Sequence, residues 1–107
     1  MLFRSFGDLE AAIRDFIARD KIFIVHFRNV SAPLPRFHET FVDEGYQDMN
    51  VLMRLFREGG YRGTMILDHT PPMAHDEAAH GELTIARPVA TAYALGYMKA
   101  LLAAAGG

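Results

Sequence analysis

The sequence predicts an α/β fold in the order α-β-α-β-α, with two parallel strands. Three observations carry that reading. Two short runs, residues 22–27 and 64–67, are apolar on both faces, the pattern of strands buried in parallel sheets. Three other stretches place apolar residues at helical spacing. The segments that follow the strands are long, and those that precede them are short. That asymmetry belongs to a (β/α) barrel, whose working face is the strand-to-helix side. The chain therefore reads as a partial barrel segment.

The first helix carries Leu9, Ala12, Ile13, Phe16 and Ile17 on one face, with Asp8 as its expected cap. It is expected to end near Arg19, Asp20 and Lys21. The first strand follows at once, with His26 on the face shared by Ile22 and Ile24, so His26 is expected to point inward with them. Residues 28–47, with Pro33 and Pro35, form a long polar loop. Asp48 then caps a helix that turns Val51, Leu52, Leu55 and Phe56 inward, and Gly59-Gly60 stops it. The second strand leads into a loop over about residues 70–86 that opens with Pro71-Pro72. Pro88 suits the first turn of a last helix, expected to bury Val89, Ala92, Tyr93, Gly96, Tyr97, Ala100 and Leu101. Loops beyond about 12–15 residues are usually functional or disordered, so both long loops mark a candidate site.

Composition narrows the function classes. A chain of 107 residues is a single domain, taken here as residues 1–107. Eleven basic and thirteen acidic residues give a net charge of −2, with no basic run, which argues against nucleic acid as a partner. No apolar run approaches the ~20 residues of a membrane helix, and the first residues lack the apolar core of a signal peptide. With no cysteine there is neither disulfide nor thiolate ligand, which suits a reducing cytoplasm. Two parallel strands alone leave open edges and bare surface. A second copy of the chain, or the preceding part of a barrel, is the expected cover.

Chemistry gathers where the strands stop: His26, Arg28 and Asn29 at the first, Asp68 and His69 at the second. His26 and Asp68 together can reach one divalent ion, and a carboxylate there needs such a partner if it is buried. His69 suits a general acid or base, because its ordinary pKa lies near neutral pH. Arg28 either clamps a substrate carboxylate or pairs with Asp48 or Glu39. His38-Glu39 stand near these groups in sequence. His75, Asp76, Glu77, His80 and Glu82 read as surface, and Met49, Met53, Met65 and Met73 as packing. Gly59-Gly60 ends a helix instead of starting one, so it is no phosphate loop.

Several strings are similar to those of one family. Lys21-Ile22-Phe23-Ile24-Val25-His26-Phe27-Arg28-Asn29-Val30, then Phe37-His38-Glu39-Thr40-Phe41, Asp48-Met49, Gly60-Tyr61-Arg62-Gly63, Asp68-His69 and Ala94-Leu95-Gly96-Tyr97 resemble mannonate dehydratases, in the order and spacing of that family's C-terminal third. The resemblance implies a TIM-barrel lyase, xylose-isomerase-like, that converts D-mannonate to 2-dehydro-3-deoxy-D-gluconate and water with Mn²⁺ or Fe²⁺. It makes His26 and Asp68 metal ligands, Arg28 and Asn29 substrate contacts, and His69 the catalytic acid or base. The family's site also takes a Cys and a His from earlier strands and a Tyr from the last long loop. This chain has no Cys, and no Tyr stands between His69 and Tyr93. The isolated chain is therefore expected to be inactive. A non-catalytic remnant that serves as an oligomerisation module, and a fragment of a related metal-dependent sugar isomerase, are the alternatives.

Overall fold

A computed structural model describes residues 6–33, 35–73, 76 and 87–106. The described elements are α1 (Phe6–Ala18), β1 (Ile24–Phe27), α2 (Met49–Glu58), β2 (Thr64–Leu67) and α3 (Pro88–Ala104). The order is the expected one, and β1 and β2 pair in parallel. Helix α1 packs on α2, α2 on α3, and α3 on β2.

Both early helices stop by the same hydrogen-bond pattern. At the end of α2, Tyr61 N donates to Phe56 O and Gly60 N to Arg57 O, with Gly60 at φ 77°. This is a Schellman motif, and the Tyr61 ring closes it edge-on against Phe56 at 5.3 Å. At the end of α1, Lys21 N donates to Phe16 O and Asp20 N to Ile17 O. Here Asp20 occupies the left-handed position at φ 55°, which a glycine would hold with less strain. At its start, α2 is capped as expected: Asp48 Oδ1 accepts from Asn50 N and Val51 N. Helix α1 begins at Phe6, so Asp8 lies within its first turn and not at its cap.

The core gathers Phe27, Val42, Met49, Leu52, Met53, Leu55, Ala94 and Leu101, with Leu9, Ile13, Met65, Leu67 and Tyr97 packed against it. The methionines Met49 and Met53 are buried packing residues, as expected. Phe16 lies outside this core, partly exposed beneath the Arg19 guanidinium at 5.1 Å.

The sheet and the last helix differ from the expectation. Among the described residues the sheet is covered on one face only. Phe27, Met65 and Leu67 pack toward the helices, with Val25 on the same face by alternation, whereas Ile24 and Ile66 are 50% and 38% exposed. His26 therefore shares a face with Ile24 that is open to solvent, because all three helices lie on the other side. The first strand also starts at Ile24, since Thr64 is the first residue of β2 and offers Ile22 and Phe23 no partner. A radius of gyration of 14.8 Å agrees with such a one-sided slab, against about 13 Å for a compact chain of this length. The second correction concerns α3. It buries Ala90, Ala94 and Leu101, while Val89 and Tyr93 remain partly exposed. The helix is apolar nearly all round, so its periodicity does not select a face. No described helix is long and apolar enough to cross a membrane.

The position of α3 is fixed by a residue far from it in sequence. Asp76 is almost fully buried and accepts hydrogen bonds from Met73 N at 2.8 Å, Val89 N at 2.8 Å and Ala90 N at 3.1 Å. It thus caps α3, whose own preceding residue, Arg87, gives no side-chain cap. Its expected place at the surface is wrong, because its carboxylate is needed by the orphan N–H groups behind Pro88. His75, Glu77, His80 and Glu82 lie outside the described residues. Burial acts to raise the Asp76 pKa, but the three backbone donors and the nearby Arg87 charge outweigh it and hold it below the ordinary carboxylate value.

A depressed folded-state pKa stabilises the fold above the unfolded value of 3.8, and that contribution is lost as pH falls through the folded value. Urea unfolding of Asp76→Asn is therefore expected to show lower stability than wild type at neutral pH. The difference should narrow as both proteins are taken to acid. A constant difference at every pH would contradict the capping role.

Candidate active site

The two strands are paired flush. Ile24 stands opposite Thr64, Val25 opposite Met65, His26 opposite Ile66 and Phe27 opposite Leu67. The next residues, Arg28 and Asp68, therefore leave the sheet at the same level. Alternation along the strands puts His26 and Asp68 on the same open face. The side chains meet accordingly. His26 Nδ1 lies 3.7 Å from Asp68 Oδ2, Arg28 Nη1 3.8 Å from the same oxygen, and His69 Nε2 3.6 Å from Asp68 Oδ1. His69 follows Asp68 in the chain, and its ring still reaches the Asp68 carboxylate. The structure thus brings together four of the five residues singled out in the sequence.

These separations exceed the hydrogen-bond range of about 2.7–3.2 Å. The Asp68 carboxylate is approached by three cationic or imidazole groups and clasped by none. Both histidines are more than half exposed and Asp68 about a quarter, so water screens the pairs and each adds little to stability. The arrangement is open to a ligand.

Arg28 is engaged elsewhere. Its Nε and Nη2 donate to the two carboxylate oxygens of Glu39, the Nε bond at 2.9 Å. This forked pair is the alternative that the sequence left open. The bond to Glu39 raises the Arg28 pKa above its ordinary value; partial burial opposes this and the charges of Glu39 and Asp68 add to it. The Phe37 ring lies below the guanidinium at 5.7 Å. Glu39 reaches Arg28 because the loop after β1 doubles back: Val30 bridges Glu39 in antiparallel fashion, and Ser31 N donates to His38 O at 3.0 Å.

Asn29 holds that loop. It is 1% exposed, and both ends of its amide are used. Nδ2 donates to Val42 O and Gln47 O, each at 3.0 Å, while Oδ1 accepts from Val30 N at 3.0 Å and Gln47 N at 3.2 Å. Gly45 packs so closely over this amide that a Cβ would lie 2.1 Å from Oδ1. Every hydrogen-bonding position of Asn29 is filled from within the loop, so the geometry gives it a positioning role instead of the expected substrate contact. The loop is also tied to α3. Tyr93 donates to Asp43 Oδ2 at 2.7 Å, and this bond, with burial and nearby acidic charge, pushes the Tyr93 pKa up to about 12.

A cleft of about 320 Å³ opens beside Asp68 and His69, lined by Glu39, Leu67, Thr70, Arg87 and Thr91 as well. Arg87 and Thr91 were not anticipated. Arg87 shows in the sequence only as the residue before Pro88, and the one hint is that a helix start after a barrel strand faces the working side. A more apolar groove of about 350 Å³ lies between α2 and α3 beside Gly63, at the start of β2. Its charged lining is Arg57 and Lys99, with no carboxylate or imidazole, so it lacks the groups for acid–base chemistry.

Among the described residues there is no cluster of three or more His, Asp or Glu side chains placed to hold a metal. His26 and Asp68 do fit as a pair. Two ligands on one divalent ion, at about 2.1 Å from it and at angles near 90–120°, stand roughly 3.0–3.6 Å apart. The observed 3.7 Å requires almost no movement.

The model of the D-mannonate dehydratase (UxuA) family matches residues 2–105. Among solved structures, the mannonate dehydratase from Streptococcus suis serotype 2 superposes with a TM-score of 0.78 at 24% identity, over 91% of this chain and 28% of that one. The two parallel strands and their helices thus match a fragment of that fold, and the chain spans little more than a quarter of that relative's length. No curated protein matches.

Replacing Asn29 with Ala strands the buried Val42 and Gln47 backbone groups. The expected cost is about 3 kcal/mol of unfolding free energy, read from urea midpoints. A loss below about 1 kcal/mol would contradict the role of this amide in building the loop.

Proposed function

We propose that this chain, which belongs to the D-mannonate dehydratase family over residues 2–105, is the C-terminal part of a (β/α) barrel that removes water from D-mannonate to give 2-dehydro-3-deoxy-D-gluconate. One observation carries the reading: the flush strand ends gather His26, Asp68 and His69 within 3.7 Å contacts on the open face of the sheet. In a barrel that face is the interior, and the remaining strands would cover Ile24 and Ile66. The domain, residues 1–107, is then a portion of a larger unit. A second copy of the chain is the other cover for the same apolar face, and sedimentation of the isolated chain separates the two. Neither nucleic acid nor membrane enters the reading, and the setting is cytoplasmic.

In this reading His26 and Asp68 hold Mn²⁺ or Fe²⁺. Such a cation would supply positive charge where the substrate's carboxylate gains electron density during proton loss. His69 stands beside Asp68 with its ring more than half exposed, free to exchange a proton with a sugar hydroxyl in the cleft. As imidazolium it can protonate the departing hydroxyl, and as imidazole it can accept a proton. Arg28 and Glu39 neutralise one another and hold the loop wall against Asp68.

With two metal ligands, and no Tyr between His69 and Tyr93 as a second proton carrier, the isolated chain is assigned binding without turnover. Calorimetric titration with Mn²⁺ is expected to show weak saturable binding that disappears in Asp68→Asn and in His26→Ala and persists in His69→Ala. Unchanged binding in Asp68→Asn would remove the ligand assignment. Turnover of D-mannonate by the isolated chain would remove the claim that the site is partial.

A further inference from the structure

We infer that Arg87, not Arg28, receives the carboxylate end of a sugar-acid substrate in the cleft beside Asp68 and His69; this rests on the sugar-acid reading above. A guanidinium recognises a carboxylate best by two parallel N–H bonds from one edge. Arg28 has already given such an edge, Nε with Nη2, to Glu39. Its remaining Nη1 points at the Asp68 carboxylate at 3.8 Å, which would repel a second carboxylate there. Arg28 also stands outside the lining of the cleft, where Arg87 takes part.

Arg87 is placed to serve. Among the described residues it makes no ion pair within 4.0 Å. The Asp76 carboxylate, which feels the Arg87 charge, is already met by three backbone N–H groups and needs no guanidinium. Its backbone is anchored by Pro88 at the start of α3 and by the Asp76 cap behind it, so the side chain extends from a rigid base. The N–H groups of Val89 and Ala90 are consumed by Asp76, which leaves the Arg87 side chain, not the helix terminus, as the anion contact. The other lining groups suit the rest of such a molecule: Thr70 and Thr91 hydroxyls and the Glu39 carboxylate can bond a polyol.

The test is calorimetric titration of the whole chain, in the presence of Mn²⁺, with D-mannonate, D-gluconate and the carboxylate-free D-mannitol. Wild type is expected to prefer D-mannonate to D-mannitol. In Arg87→Gln, D-mannonate should weaken by about tenfold or more and D-mannitol should not change, which erases the preference. Arg87→Lys should fall between. Should Arg87→Gln fail to fold by circular dichroism, Arg87→Lys decides: weaker D-mannonate with unchanged D-mannitol supports the assignment, and wild-type affinity for D-mannonate overturns it. A preference that survives Arg87→Gln also overturns it. Equal binding of D-gluconate and D-mannonate, both lost in Arg87→Gln, keeps Arg87 as the carboxylate contact and removes only the choice of mannonate. Wild type that binds no sugar acid overturns both.

Discussion

The flush parallel pairing of β1 and β2 is the constraint on which the candidate site depends. Because Phe27 stands opposite Leu67, the two chains leave the sheet together, and the first residues beyond it, Arg28 and Asp68, face each other. A slip of one residue would exchange the faces of every side chain in the slipped strand. Asp68 would then point toward the helices, away from His26. The register is set by Phe27, Met65 and Leu67, which must meet the buried faces of α2 and α3. Packing on one side of the sheet therefore places the polar groups on the other.

The loops convert that placement into a cleft. Residues 28–47 fold around the Asn29 amide, and this brings Glu39 back against Arg28. The Asp76 carboxylate does the same for α3, holding its first turn and with it Arg87 and Thr91. Tyr93 bonded to Asp43 ties the two parts together across the top of the sheet. In each case a buried or half-buried polar group takes up backbone or side-chain partners that would otherwise stand unmet. The loop after β1 is held by these hydrogen bonds together with Val42, which is buried in the core.

Much of this is legible in the sequence, and the failures have physical causes. The order of elements follows from apolar periodicity and from the glycine and proline signals at Gly59-Gly60 and Pro88. The gathering of His26, Arg28, Asp68 and His69 follows from two strands that end in polar residues. The bare face of the sheet was not legible strand by strand, because an apolar residue is written the same way whether this chain or another segment covers it. The inward face of α3 was hidden by a helix with no polar side. Asp76 gives no local signal, because a cap supplied from 13 residues before Val89 leaves no spacing to recognise. Asn29 was assigned a substrate by resemblance, while the bonds that occupy it come from Val42 and Gln47, far along the chain.

The central claim is that this short chain carries a metal-binding pair formed by the ends of two flush strands. Nuclear magnetic resonance with substoichiometric Mn²⁺ tests it most directly, through paramagnetic broadening of assigned side-chain signals. The account predicts that the His26 ring and the Asp68 carboxyl signals broaden first, followed by His69, while Arg57 and Lys99 in the groove between α2 and α3 stay sharp. Broadening that begins elsewhere, or that reaches Asp68 without His26, would contradict it.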